Sequence, residues 1–372
     1  MPTPSVPDSD LLAAVALRNQ HPTLLAAAEA AGMSWSAFNN RLRRAAERGL
    51  DGSVPKAVPM GQRIKGVSTL YNAAGEMAAQ WVKTDRDAVD VVEMVEQLRE
   101  AFMAFDGKAP VADPPQADND LATIYPLADL HIGLLAWGEE AGQSWDVKIA
   151  EQTIKAAMGR LFAASPASSQ AVILGLGDLL HADNYDNQTS KSKHSLDVDG
   201  RYPRVLRAAA DLVIWTVEQA LAKHDKVLVR ILPGNHDDQS AIAVSLALAM
   251  YYSRNQRVTV DQDPSRFWWF SWGSTLLGAT HGDQAKMKDL PLLMATRNPE
   301  AWGQSKHRAI YTGHIHTQTA VEVGSVTVES FRTVAAPDAW HSGMGYGAGR
   351  SVTSITHCKD RGEICRQRAN IL

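Results

Sequence analysis

Residues 227–237 read VLVRILPGNHD. A run of six residues, apolar except for Arg230 and rich in Val and Ile, meets Pro233 and Gly234, which stop a strand, and the chain then presents Asn235, His236 and Asp237. Four other stretches repeat the pattern of an apolar run that ends in ligand-type side chains. ATIYPLADLH (122–131) ends in Asp129-Leu-His131, and AVILGLGD (171–178) ends in Gly177-Asp178. TLLGATHGD (275–283) ends in His281-Gly282-Asp283, and AIYTGHIH (309–316) in Gly313-His314-Ile-His316. Amphipathic helices are expected between them, over Val147–Ala164 and Pro203–Lys223. Strands alternating with helices indicate an α/β fold. Open α/β sheets place their sites at the C-terminal ends of strands, where these polar residues fall.

Asp, Asn and His supply the oxygen and imidazole donors that suit Mn, Fe, Zn or Ni. In an extended Asp-x-His or His-x-His the first and third side chains lie on one side of the backbone, so two donors can face one ion. The glycines allow tight turns and close backbone approach. A single histidine at a strand end is ordinarily a surface or hydrogen-bonded residue. Five such elements, each following an apolar run, call for another explanation.

The order D-x-H, GD, GNHD, H and GHxH resembles the calcineurin-like metallophosphoesterase superfamily, over about Leu121–Thr333. The resemblance implies a β-sandwich flanked by helices (αββα) and a dinuclear centre. One metal would be held by Asp129, His131, Asp178 and His316. The other would be held by Asp178, Asn235, His281 and His314, with Asp178 bridging. His236 would be the general acid or a donor to a phosphate oxygen, and Asp237 could orient it or, like Asp283, serve to hold the turn. The sequence GDLLHADN (177–184) resembles the double-strand-break-repair exonuclease branch, in which His181 would contact the scissile phosphate. Two cations sharing a carboxylate and a bridging hydroxide lower the pKa of water and clamp phosphate oxygens. The implied cofactors are two divalent ions, Mn first, with Fe, Zn, Ni and Mg as alternatives.

Upstream, residues 8–50 resemble a helix-turn-helix unit. Leu11, Leu12, Val15 and Ala16 would form the apolar face of a first helix. A second helix would begin after Pro22 and stop at Gly32. Ser34 or Ser36 would cap a third, running through Phe38, Leu42 and Ala45 to Gly49. That third helix would offer Ser36, Asn39, Asn40, Arg43 and Arg44 to DNA, since these side chains reach base edges and phosphates. A three-helix packing or oligomerisation module with a solvated charged face is the other reading. Residues 51–120 read as a connector with a strand pair around a turn and a helix over Asp87–Phe105. The catalytic domain would span 121–372.

The 372 residues carry 45% apolar and 21% charged side chains and a net charge of −4, ordinary for a globular protein and no sign of a general polyanion binder. Cys358 and Cys365 cannot form a disulfide framework or a CxxC zinc site. The first residues, MPTPSVPDSD, lack a secretory pattern, and Ala241–Tyr252 is too short to cross a bilayer, so a cytoplasmic enzyme is expected.

Three functions remain open: a DNA phosphodiesterase or nuclease; a phosphomonoesterase or cyclic-nucleotide phosphodiesterase with an N-terminal interaction module; and a DNA-binding regulator with an inactive cluster. A homo-oligomer is open in each case. The insertion Asn184–Arg204 adds Lys191, Lys193, His194, Arg201 and Arg204 near the site, either as a phosphate-contacting rim or as a solvated loop. Gly343–Arg350, GMGYGAGR, is flexible enough to close over a substrate but lacks the ending of a phosphate-binding P-loop.

Overall fold

In the computed structural model the chain divides into two units, Met1–Ala88 and Val89–Leu372. The structure describes residues 6–47, 50, 62–71, 77–86, 116–189, 192–345 and 347–371. The boundary at residue 88 falls inside the segment read as a connector, and the helix expected over Asp87–Phe105 lies outside the described residues.

In the first unit, helices α1 (Asp8–Gln20), α2 (Leu24–Ala30) and α3 (Trp35–Glu47) pack around Ala14, Ala27, Ala28 and Phe38. Thr23 caps α2 by accepting the Ala26 N–H, and Ser34 caps α3 by accepting the Ala37 N–H. The buried face of α1 is Leu11 and Ala14, three residues apart, while Leu12 is exposed. The inner face is centred on Leu11 and Ala14, and Leu12, turned about 100° from Leu11, falls outside it, so the expected grouping of Leu11 with Leu12 is corrected. Strands β1 (Gln62–Tyr71) and β2 (Met77–Arg86) pair antiparallel, as the sequence suggests.

In the second unit, one sheet has six strands in the order β13-β12-β3-β4-β5-β6. Its parallel core is β3 (Asp118–Leu127), β4 (Ser168–Gly175), β5 (Lys226–Ile231) and β6 (Val258–Asp261). Strands β12 (Arg350–Cys358) and β13 (Gly362–Ile371) add an antiparallel edge. The other sheet runs β10-β11-β9-β8-β7, made of β7 (Trp268–Trp272), β8 (Thr275–Ala279), β9 (His307–Thr312), β10 (Thr319–Val323) and β11 (Val326–Ser330).

Alternation along each strand creates the layers. Tyr125, Ile173 and Val229 face helices α5 (Val147–Ala164), α6 (Tyr202–Leu221) and α7 (Ser240–Tyr251). Their neighbours Ile124, Val172 and Leu174 meet Leu277, Ala279 and Tyr311 of the second sheet. On that sheet's far face, Leu276, Ile310 and Val328 pack against Leu290 and Met294 of α8 (Leu290–Arg297), which α9 (Pro299–Gln304) follows. The order is helix, sheet, sheet, helix, the αββα sandwich expected. Helix α5 is held by Ala150, Ile154, Ala157, Met158 and Leu161, a buried stripe at helical spacing, and is capped where Asp146 accepts the Ile149 N–H at 2.7 Å. Two short helices, α4 (Gly138–Ala141) and α10 (Ala339–Gly343), lie in loops of this unit. Among the described residues, no helix is long and apolar enough to cross a membrane.

Candidate metal centre

The C-terminal ends of β3, β4, β5, β8 and β9 converge, and each delivers one of the five motifs. Hydrogen bonds bind the loops together. The Asp129 N–H reaches Gly177 O, the His131 N–H reaches Asp178 O at 2.9 Å, and the Gly313 N–H reaches His281 O at 2.9 Å. The His314 N–H donates to both carboxylate oxygens of Asp129, at 3.0 and 2.9 Å.

Two groups of donors result, Asp129–His131–His316 and Asp178–His281–His314, each with its donor atoms within 4.8 Å of one another. Asn235 joins the second group, its Oδ1 lying 3.0 Å from His281 Nε2. A third group, His131–His181–His236, shares one imidazole with the first. The structure thus brings together all seven residues expected as ligands, and both histidines expected to act on substrate.

Backbone conformation sets these side chains apart. Asp129, His131, Asp178, His314 and His316 all have positive φ, between 45° and 72°. Side-chain-bearing residues rarely adopt that region, and each costs about 1–3 kcal/mol. Five in one cluster mark a site that the rest of the fold holds under strain. Two glycines make room for it. A Cβ at Gly234 would lie 2.0 Å from Asp178 Oδ1, and one at Gly177 would lie 2.5 Å from His281 Nδ1.

The donor set fits metal ions. The His281 Nδ1–H donates to the Leu176 carbonyl at 2.8 Å, which turns Nε2 toward Asn235 Oδ1 and toward Asp178 Oδ2 at 3.2 Å. A nitrogen lone pair facing two oxygens needs a cation between them, either a proton or a metal. In the other group, His131 Nε2 and His316 Nε2 face each other at 3.0 Å. Burial, together with the nearby His236 and His316, holds the His131 imidazole far below its usual range, so it is neutral as a ligand must be. Burial likewise pushes His181 down to about 3 and lowers His314. Burial opposes the charge on His281, but Asp178 outweighs it and raises that imidazole to about 10. For Asp178, burial is outweighed by His281, which keeps the carboxylate well below its ordinary range.

His236 donates its Nδ1–H to the His181 carbonyl at 2.8 Å, so Nε2 is the atom left to exchange a proton. Its ring stacks on that of His181, with centroids 5.3 Å apart. Of the two roles open to Asp237, orienting His236 is not seen: its carboxylate holds the turn, accepting N–H groups from Asp178, Leu179, Leu180 and Gly234. Burial and the adjacent Asp178 push Asp237 up to about 7. The orienting contact on His236 is therefore a carbonyl. His181 is 2% exposed, and its Nε2 has no hydrogen-bond partner among the described protein groups.

Four residues near the cluster were not anticipated. The His341 ring stacks on His316, with centroids 5.2 Å apart, while Asp338 Oδ1 meets His341 Nδ1 at 2.7 Å. Asp183 caps α7, accepting the N–H groups of Gln239 and Ser240. The Thr333 hydroxyl donates to the Asp129 carbonyl at 2.6 Å. An Asp-x-x-His on a short helix follows no apolar strand, so strand-end reasoning could not find Asp338 and His341. Only the proximity of a histidine to a glycine-rich segment could have drawn notice.

The 184–204 insertion packs on the 131–136 loop, with the Leu135 N–H donating to Asp197 O and the Asp199 N–H to Gly133 O. Lys193, His194, Arg201 and Arg204 are exposed, and Arg204 pairs with Asp199 at 3.2 Å. Lys191 lies outside the described residues. In the first unit, Ser36, Asn39, Asn40, Arg43 and Arg44 all lie on the exposed face of α3, opposite the buried Phe38 and Ala45.

No family profile and no curated protein matches the chain. Solved structures give distant likenesses. A Streptococcus pneumoniae TIGR4 protein described as a predicted phosphoesterase is 11% identical, over 68% of this chain and 98% of that one, with TM-score 0.27. Zinc-complexed Vps29 from Entamoeba histolytica is 12% identical, over 67% and 98%, with TM-score 0.27. A novel archaeal phosphodiesterase is 13% identical, over 67% and 99%, with TM-score 0.34. This chain is similar to these proteins at low identity, and its chemistry rests on its own residues.

Proposed function

We propose that this chain is a two-metal phosphoesterase that hydrolyses phosphodiester bonds, with DNA as its substrate. The observation that carries the reading is the pair of donor triads, five of whose six residues are held in left-handed backbone, at the ends of strands from both sheets. Asp129, His131, Asp178 and His316 would hold one divalent ion. Asp178, Asn235, His281 and His314 would hold the other. Mn²⁺ is the first candidate for this mixed oxygen and imidazole set, with Fe, Zn, Ni and Mg as alternatives. Such ions supply charge stabilisation to phosphate oxygens and bring the pKa of water toward neutrality.

The protein's own part follows from its hydrogen bonds. The Leu176 carbonyl fixes the tautomer of His281, and His314's own N–H anchors the Asp129 carboxylate. The His181 carbonyl fixes the Nδ1–H of His236, so its Nε2 can give a proton to a departing alkoxide. His181 lies beside it, and its Nε2, without a partner among the described protein groups, suits a phosphate oxygen.

DNA is favoured over small phosphates by two further features. The exposed α3 face carries Ser36, Asn39, Asn40, Arg43 and Arg44, and a tethered DNA-binding module raises local substrate concentration. The exposed Lys193, His194 and Arg201 belong to the insertion packed on the 131–136 loop, which begins at His131. The alternative is a phosphomonoesterase or cyclic-nucleotide phosphodiesterase whose helical unit docks a partner.

The test strips the enzyme of metal and adds back Mn²⁺ with bis-p-nitrophenyl phosphate, p-nitrophenyl phosphate, or end-labelled single- and double-stranded DNA. Mn²⁺-dependent cleavage of the diester and of DNA is expected, and absent from Asp178→Ala and His314→Ala. Monoester hydrolysis with intact DNA selects the alternative. Wild-type rates in both variants overturn the metal assignment.

A further inference from the structure

We infer that a second site, for a small organic phosphate, lies between the two sheets at the ends of β8 and β9 remote from His281 and His314. A pocket of about 350 Å³ opens there, lined by Thr275, Lys306, His357, Arg361 and the Arg366 group. That volume lies within the range of small-molecule sites, roughly 300–1,000 Å³.

Two buried groups point to a ligand. Thr275 is 1% exposed and His357 2% exposed, and both line the pocket. Neither Thr275 Oγ1 nor His357 Nδ1 has a hydrogen-bond partner among the described protein groups. Buried polar atoms are nearly always paired, so two orphans in the wall of one cavity require an explanation. The other ring nitrogen of His357 is engaged, with Nε2 lying 2.8 Å from the Tyr311 hydroxyl. When that hydroxyl donates, the imidazole proton belongs on Nδ1, and the wall offers two donors, N–H and O–H.

The charge around these donors selects an anion. Four cations line the pocket, Lys306, Arg308, Arg361 and Arg366, against two carboxylates, Glu329 and Glu363. Arg366 answers both carboxylates, meeting the Glu329 oxygens at 2.7 Å and the Glu363 oxygens at 2.8 and 2.9 Å. Arg308 turns to the carbonyls of Trp302 and Ser305. The four cations outnumber the two lining carboxylates by two, and Lys306 and Arg361 are exposed, Arg361 meeting the Cys358 thiol with Asp118 and Asp120 nearby. A phosphate group has acceptor oxygens enough for Thr275, His357 and these two cations, and the volume leaves space for an organic remainder.

This site shares no residue with the histidine cluster and does not depend on the phosphoesterase reading. The test is calorimetric titration of the full chain in EDTA with inorganic phosphate and with adenosine 5′-monophosphate. One saturable event is expected, weakened by about tenfold or more in Thr275→Val and in Arg361→Ala, and unchanged in His314→Ala. Circular dichroism shows whether each variant is folded, and Arg361→Ala, at an exposed position, carries the test if Thr275→Val fails to fold. No saturable heat with either probe overturns the proposal. So does binding unaffected by both pocket variants, or binding lost in His314→Ala, which would assign it to the histidine cluster.

Discussion

Asp237 grips Asp178 from behind. Its Oδ1 accepts the Asp178 N–H at 3.1 Å and the Gly234 N–H at 2.9 Å, while its Oδ2 accepts from Leu179 and Leu180. The Asp178 carboxylate in turn accepts the His236 N–H at 2.8 Å. One buried carboxylate thus ties the β4 loop to the β5 loop and keeps Asp178 in its left-handed conformation.

Asp237→Asn removes one acceptor oxygen and introduces a donor facing backbone N–H groups. It is expected to lower stability by about 2–4 kcal/mol, read from urea denaturation, and to reduce metal occupancy. Unchanged stability and unchanged metal content would show that the four N–H groups do not depend on this carboxylate.

His236→Ala separates proton transfer from metal holding. The expected result is a kcat lower by roughly 10²–10⁴, the usual worth of a positioned acid, with metal content by elemental analysis unchanged. Loss of the metal instead would make His236 structural.

For the N-terminal unit the measure is salt. Deleting residues 1–50 is expected to weaken DNA affinity while sparing hydrolysis of the small diester. Arg43→Ala and Arg44→Ala are each expected to flatten the plot of log affinity against log salt by about 0.9 if the side chain meets a phosphate. An unchanged slope in the deletion would leave the unit as a docking module.

Two buried imidazoles outside the cluster predict acid sensitivity. Burial pushes His224 and His357 each down to about 4 from an ordinary 6.5. Both folded-state values are depressed, so between pH 6.5 and 4 the unfolded chain binds protons that the native chain does not. Native stability is therefore complete above 6.5 and falls as pH drops toward 4, by up to roughly 3 kcal/mol per imidazole at about 1.4 kcal/mol per unit. Urea midpoints for the metal-free chain should fall across that window, and less steeply in His224→Gln. An equal fall in that variant would remove His224 from the account.

Much of the centre was legible because its chemistry stands at strand ends. Val227–Asp237 and its four counterparts announce both the strand and what the strand delivers. The alternating Leu276 and Leu277, or Ile310 and Tyr311, could not say which face meets helix and which meets sheet, since both faces are covered and both are apolar. The choice between the two roles of Asp237 was hidden for a related reason. A carboxylate beside a histidine suggests a pair, but backbone N–H groups from a loop 57 to 59 residues earlier in the chain claim it. His341 reaches His316 by a fold-back after β11 that no local pattern records.

The bond from His314 to Asp129 joins residues 185 apart in the chain, and the His131–His316 contact spans the same separation. Each triad takes one donor from the β9 loop, the last of the five to be synthesised. A chain ending before residue 314 would therefore leave both triads an imidazole short, however well β3, β4 and β5 had paired. Closing so long a loop comes late in folding. The candidate metal site would remain unformed in partly made or partly folded chains, and metal uptake would report only molecules that had closed it.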